Sequence, residues 1–278
     1  MSLIRVFLLM IASLVLVACG GDDDKKVSVS VSPMAATIKA GTTQTFSASV
    51  TGTNNTAVTW KVDETTGGSI TSAGIYTAPM MAGTYHVTAT SAADTKRSAT
   101  ATITVTPLDK AMVRVFHASA DAPMVNLWVN DAEVASELDY QQSTGYLSLD
   151  EGTYSVAVEG IIPGGNAVVI GPVDLALAGN TDYEVIAVNS ASEIEPLVLS
   201  DTGSLSDSTK LRVRVAHLAA AAPAVKVFVT APGADLAASE ALGTFAFKET
   251  LGAVEVAAGD YQIRVTLADN TVVFDSGT

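Results

Sequence analysis

From Val27 onward, apolar residues recur at every second position in short runs, and Gly, Pro, Asn and Thr turns break the runs apart. Successive side chains of a strand point to opposite faces, so such a run has one face to bury and one to leave in water. A helix would need the apolar positions three and four apart, and no such segment stands out after residue 26. Residues 27–31, 44–50, 58–62, 85–90 and 99–105 each alternate in this way, and each is predicted to be a strand. The predicted class is all-β, with sandwich domains in tandem.

Two aromatic residues sharpen the reading of residues 27–107. Trp60 sits in the middle of Val58-Thr59-Trp60-Lys61-Val62, where it is placed to fill the space between two sheets. Tyr85, in Gly83-Thr84-Tyr85-His86-Val87, stands where a strand begins and is read as a corner tyrosine. With Ala40-Gly41-Thr42, Ala57-Val58-Thr59-Trp60 and Ile75-Tyr76-Thr77-Ala78-Pro79, the segment resembles the bacterial immunoglobulin-like group 2 domain. That resemblance implies a surface or adhesin protein in which the domain serves as a spacer.

Beyond a short join at residues 107–110 the chain repeats itself. Val113-Arg114-Val115-Phe116-His117-Ala118 returns as Val213-Arg214-Val215-Ala216-His217-Leu218, and Ala122-Pro123-Met124-Val125 as Ala222-Pro223-Ala224-Val225. Leu127-Trp128-Val129 is answered by Val227-Phe228-Val229, and Gly152-Thr153-Tyr154-Ser155-Val156 by Gly259-Asp260-Tyr261-Gln262-Ile263. A first repeat over 111–200 and a second over 211–278 follow, joined by a Ser-, Asp- and Thr-rich linker at 201–210.

Both repeats resemble the domain of unknown function family 4397, whose opening reads V-R-V-x-H-A-S-x-D-A-P-x-V-D-V-x-V. The first keeps Ser119, Asp121 and Pro123 but has Asn126 where the family carries Asp. The second departs further, with Leu218, Ala219, Ala221 and Lys226 at the positions of Ala, Ser, Asp and Asp. Neither resemblance implies a reaction. In the first repeat 167–170 leads to strands predicted at 173–177, 183–188 and 197–199, and these have no counterpart after 271–274. The second repeat therefore reads as incomplete, either a fragment of a longer protein or a domain finished by another chain, because a sandwich lacking those strands exposes edges and apolar faces.

The N-terminus decides the destination. Arg5 precedes a largely apolar stretch over 6–17, interrupted only by Ser13 and shorter than the roughly 20 residues of a membrane-spanning helix. Leu16-Val17-Ala18-Cys19 resembles the lipobox of bacterial lipoproteins, which makes 1–18 a signal peptide and Cys19 the lipid-bearing first residue of the mature chain. Residues 19–26, with Asp22, Asp23 and Asp24, read as a solvated acidic tether; the three carboxylates lack the alternating spacing of a calcium loop. Gly20 stands where an Asp favours inner-membrane retention in enteric bacteria, so the outer membrane is expected by that resemblance, at its periplasmic or its outer face.

Cys19 is the single cysteine, so no intrachain disulfide forms and stability rests on apolar burial, for which 48% hydrophobic against 16% charged residues suffices. Fifteen Lys and Arg stand against 29 Asp and Glu, a formal net charge of −14 that repels nucleic acid.

Candidate sites are few. His117, Ser119 and Asp121 carry the residue types of nucleophilic catalysis. Residues two apart on a strand are separated by roughly 6.6 Å of rise, too far for a nucleophile to bond its base. The second repeat keeps His217 but has Ala219 and Ala221, which favours a histidine that bonds loop backbone. His86, His117 and His217 fall in three different segments, without a second ligand at metal spacing. No cofactor is expected, since Gly41 and Gly164-Gly165 read as turns rather than a phosphate loop. Arg114 and Arg214 recur and are read as solvent-facing or paired across strands, with an acidic ligand as the alternative. Trp128 and Phe228 are read as core residues, with a sugar-stacking platform as the alternative.

The expected function is that of a lipid-anchored, non-enzymatic envelope or surface protein that presents β-sandwich domains for adhesion or envelope interaction. A surface carbohydrate-binding module is the alternative, and a hydrolase built on His117, Ser119 and Asp121 a more distant one. The expected partners are the membrane, through the lipid, and a surface glycan or another envelope protein.

Overall fold

The protein is described by a computed structural model over residues 26–203 and 206–277. The leader, Cys19 and the acidic tether up to residue 25 lie outside the described residues. The chain is almost entirely β-structure, and its only helical turns are single 3-10 turns at Ala191–Glu193 and Leu236–Ala238 among the described residues. It divides into two compact units, one ending at Pro107 and the other beginning at Leu108.

The first unit contains β1 (Ser28–Ser32), β2 (Ala35–Lys39), β3 (Thr43–Thr45), β4 (Ser47–Thr51), β5 (Val58–Val62), β6 (Ser69–Ile70), β7 (Ile75–Thr77), β8 (Gly83–Ser91) and β9 (Ser98–Thr106). One sheet runs β2-β9-β8-β5, with β2 parallel to β9, and the other layer is formed by β1-β4 and β3-β7-β6. Alternation decides what is buried: along β8, Tyr85, Val87, Ala89 and Ser91 face inward. Phe46, 1% exposed, meets both Trp60 and Tyr76 with ring centroids 6.4 Å apart. The Tyr76 hydroxyl donates to Gly67 O at 2.6 Å, and burial pushes its pKa up to about 12.

The strand predicted over 44–50 is two strands. At Phe46 the chain changes partners, from β7 on one side to β1 on the other, and the Phe46 N–H is satisfied by Gly74 O at 2.8 Å.

The second unit holds both repeats. The first contains β10 (Lys110–His117), β11 (Val125–Val129), β12 (Ala132–Leu138), β13 (Leu147–Asp150), β14 (Gly152–Gly160), β15 (Ala167–Leu177), β16 (Asp182–Val188) and β17 (Glu195–Asp201). Two four-stranded sheets, β13-β10-β16-β17 and β12-β11-β14-β15, enclose a core that includes Val113, Val115, Leu127, Val156, Val158, Ile170, Tyr183 and Val185. Each such side chain withdrawn from water contributes about 1.5–3 kcal/mol. The β11–β12 hairpin turns on Asn130 and Asp131, both at positive φ, the conformation a two-residue hairpin loop requires.

Residues 167–170 and 173–177, predicted as separate strands, form the single strand β15. Gly171 (φ 85) and Pro172 sit in its interior, and the register against β14 shifts between Val156 and Val158 to absorb them.

The second repeat contains β18 (Lys210–Ala216), β19 (Val225–Thr230), β20 (Gly243–Phe245), β21 (Thr250–Ala257), β22 (Gln262–Thr266) and β23 (Val272–Asp275), arranged as β18-β21 and β20-β19-β22-β23. Where β10 has a strand on both sides, β18 has only β21 among the described residues. Val273 and Phe274 are correspondingly open, at 54% and 53% exposure.

The two repeats pack on one another. Ile186, Val188 and Leu199 form a buried cluster against Phe116, Ala118 and Leu197 of the first repeat and Ala216, Leu218 and Phe247 of the second. Arg212 clasps Asp201 with Nε at 3.1 Å and a second nitrogen at 2.5 Å, Arg214 donates to Ser200 O at 2.7 Å, and Lys248 reaches Glu195 at 2.8 Å. The Gly203 N–H and then Arg212 hold the Asp201 carboxyl below the usual carboxylate range, outweighing its partial burial.

A corner tyrosine occurs three times. Tyr85 donates its hydroxyl to Met81 O at 2.9 Å, Tyr154 to Asp150 O at 2.9 Å and Tyr261 to Ala257 O at 2.8 Å, always to the carbonyl four residues back. All three follow a Gly two residues earlier, and each ties the start of a central strand to the turn that delivers it.

Candidate functional site

The end of β10 places His117 on the inward side of the alternating strand, and its ring is completely buried. Nε2 lies 3.0 Å from Pro123 O, and Nδ1 accepts from the Ser119 N–H at 3.3 Å. A carbonyl only accepts and an amide only donates, so a ring protonated on Nε2 satisfies both contacts. Backbone also seals the site: the His117 N–H donates to Gln142 O at 2.9 Å and the Gln141 N–H donates to His117 O at 2.8 Å. The second repeat reproduces the Nε2 contact and the backbone seal, without a counterpart of the Nδ1 bond among the described residues. His217 Nε2 lies 3.1 Å from Pro223 O, the His217 N–H donates to Glu249 O at 3.1 Å, and the Lys248 N–H donates to His217 O at 2.8 Å. Gln141 and Lys248 both take positive φ, 65° and 66°.

The histidine, serine and aspartate of the first repeat do not converge on a relay. Both ring nitrogens of His117 are spent on backbone. The Ser119 hydroxyl is buried without a hydrogen-bond partner among the described residues, and Asp121 Oδ1 accepts from the Ala191 N–H at 2.9 Å. Asp121 thereby pins the loop after β10 to the 3-10 turn after β16.

Arg114 faces outward from β10, pairs with Glu184 directly across on β16 and lies 5.1 Å from the Tyr146 ring centre. The hydrogen bond to Glu184 raises its pKa further above the ordinary arginine value. Arg214 is engaged with Ser200 and lies 3.9 Å from Asp201. Asn126 donates to Glu159 at 3.1 Å and accepts from the Glu137 N–H at 3.0 Å. The Asp expected from the family opening would set two carboxylates against each other there.

Trp128 and Phe228 occupy the faces of β11 and β19 opposite to Leu127 and Val227, not the space between the sheets. Phe228 is nevertheless only 5% exposed, and the indole nitrogen of the half-buried Trp128 is enclosed without a partner among the described residues. Neither ring is offered as a flat exposed platform.

What the packed repeats do offer is a cleft of about 830 Å³ between them. Phe116, Asp121, Tyr140, Gln141, Asn189 and Ser190 line it from the first repeat; Leu218, Ala219, Ala220, Ala221 and Phe274 line it from the second. The alanines are informative. Ala216, Ala219 and Ala221 stand where the first repeat has Phe116, Ser119 and Asp121, so the small side chains of the second repeat leave the room. Two of the wall residues, Gln141 and Asn189 (φ 78), hold the left-handed backbone that non-glycine residues seldom adopt. No residue lining the cleft is cationic. Sequence reasoning noted the alanines only as departures from the repeat, since the cleft exists only once the repeats are packed.

Among the described residues no three His, Cys, Asp or Glu side chains gather as a metal site, and no helix is long and apolar enough to cross a membrane.

Comparison with known proteins finds a domain of unknown function (DUF4397) at residues 111–228, which takes in the first repeat and the second as far as Phe228. No curated protein matches the chain. Among solved structures, a Bacteroides ovatus protein of a mixed-linkage glucan utilization locus, in complex with a mixed-linkage heptasaccharide, aligns at 14% identity and a TM-score of 0.20. The alignment covers 86% of this chain and 61% of that one.

Proposed function

We propose that this chain is a non-enzymatic binding protein of the bacterial envelope, anchored through a lipid on Cys19, in which the immunoglobulin-like unit spaces a pair of related β-sandwich repeats from the membrane for adhesion or envelope interaction. The observation that carries the binding role is the cleft between the repeats. It is wide enough for a ligand, since binding pockets span about 300–1,000 Å³. Its two walls are held together by the cluster around Ile186 and Val188 and by the Asp201 and Glu195 ion pairs. The non-enzymatic reading rests on His117, whose ring is committed to loop backbone on both nitrogens. The second repeat is read as another copy of the DUF4397 domain because it rebuilds the same histidine clamp and the same tyrosine corner. Anchoring rests on the apolar leader and on Leu16-Val17-Ala18-Cys19.

Protease treatment of intact cells, comparing wild type with Cys19→Ala, tests this. Digestion of the wild-type chain on unbroken cells, with release of the Cys19→Ala chain into a soluble fraction, is the expected result. Equal membrane retention of both forms would overturn the anchor, and protection of the wild type until the outer membrane is opened would restrict the protein to a periplasmic role.

A further inference from the structure

The geometry points to a saccharide site in the cleft between the repeats, selective for uncharged sugars; this rests on reading the chain as an envelope binding protein and names the ligand class of that same cleft. A sugar presents two kinds of surface, apolar C–H faces and hydroxyls that both donate and accept. The cleft answers both. Tyr140 is 41% and Phe274 53% exposed, and each repeat thus contributes one partly exposed ring to the lining.

Beside them lie hydrogen-bonding groups that the fold has not used. Asp121 spends Oδ1 on Ala191, and neither its second oxygen, the Gln141 side-chain amide nor the Tyr140 hydroxyl has a protein partner among the described residues. A carboxylate that accepts beside an amide that both donates and accepts suits vicinal hydroxyls. The loops that carry Asp121 and Gln141 are already held: Asp121 is tied to the turn after β16, and the Gln141 backbone is tied to His117 O, so binding does not have to order these loops first.

Charge sets the selectivity. The lining holds Asp121 and no Lys, Arg or His, within a chain of net charge −14, so a uronate, sulfate or phosphate would enter against repulsion with no cation to meet it. The second repeat contributes by subtraction: Ala219, Ala220 and Ala221 form a floor without side chains long enough to fill the space.

The test uses the whole mature chain, freed of lipid, on immobilised neutral hexasaccharides of glucose, mannose, galactose and xylose and on oligogalacturonate, followed by calorimetry with the best binder. Tyr140→Ala is expected to weaken binding about tenfold through loss of the stacking surface. Ala220→Trp fills the floor from an exposed turn and is expected to abolish it. Tyr146→Ala removes an equally exposed ring that lies outside the cleft and should leave binding unchanged. No binding of any neutral sugar by the folded chain would overturn the saccharide site while leaving the anchored-protein reading to its own protease test. Binding that ignores Tyr140→Ala and Ala220→Trp would overturn the cleft as its location, and preference for oligogalacturonate would overturn the stated selectivity.

Discussion

Three copies of one interaction in three environments allow a sharp test of how burial scales a hydrogen bond. Tyr85→Phe, Tyr154→Phe and Tyr261→Phe each delete one hydroxyl and strand one carbonyl, those of Met81, Asp150 and Ala257. A net hydrogen bond is worth about 0.5–1.5 kcal/mol, with the upper end where the abandoned partner is shielded from water. Tyr85 is 6% exposed and its bond part-buried, so Tyr85→Phe should cost about 1–1.5 kcal/mol. On a unit of that size this lowers Tm by roughly 4–12 °C. The Tyr154 bond is also part-buried but belongs to the larger unit, where about 1 kcal/mol moves Tm by roughly 2–4 °C. The Tyr261 bond is exposed, water replaces the lost hydroxyl, and the cost should stay below about 0.5 kcal/mol. Trp60 and Trp128 report on separate units, so single-tryptophan backgrounds read each unfolding transition by fluorescence in urea. Equal losses at all three positions, or a larger loss at Tyr261 than at Tyr85, would show that burial does not set the strength of these bonds.

Other positions give further expectations. His117→Ala empties a fully buried site and strands the Ser119 N–H and Pro123 O, for a cost of about 3–5 kcal/mol in urea unfolding; His217→Ala, with a single ring contact at 3.1 Å, should cost clearly less. Phe247→Ala loosens the packing of one repeat on the other, and trypsin cleavage at Lys210 should accelerate while the first unit's urea midpoint stays unchanged. Hydrogen bonds from the Ser206 hydroxyl and N–H, then Lys210, hold the Glu255 carboxyl down to about 2 from 4.5. A depressed carboxylate contributes stability that is present above its unfolded pKa and lost as pH falls through the folded one. The stability difference between wild type and Glu255→Gln should therefore be full above pH 4.5 and shrink towards pH 2; a difference that grows on acidification contradicts this.

Much of the architecture was legible because β-structure writes its period into the chain. Alternation alone marks the inward face of β8, and Gly83-Thr84-Tyr85 marks one corner; that Tyr154 and Tyr261, matched in the repeats, are corners too shows only in their hydrogen bonds. Alternation does not say which partner a strand takes, so the change of sheet at Phe46 and the continuity of β15 through Gly171-Pro172 became visible only in the pairing. Nor does it say which face is covered: Phe228 is buried as expected, but on the face of β19 opposite to Val227, and Trp128 is half-buried on the matching face of β11. The cleft was illegible for a different reason. Its floor is made of alanines, which carry no chemical signature, and its walls come from segments far apart in the chain whose meeting depends on Ile186, Leu218 and Phe247. The anchor, conversely, is a statement of sequence alone, since Cys19 lies outside the described residues.

As proposed, the anchored chain attaches through the cleft between its repeats. Attachment of cells to a surface coated with the best-binding neutral hexasaccharide, compared between wild type and Ala220→Trp at equal surface display, measures this directly. Loss of attachment with Ala220→Trp despite unchanged display is the predicted result. Equal attachment of the two strains would contradict it.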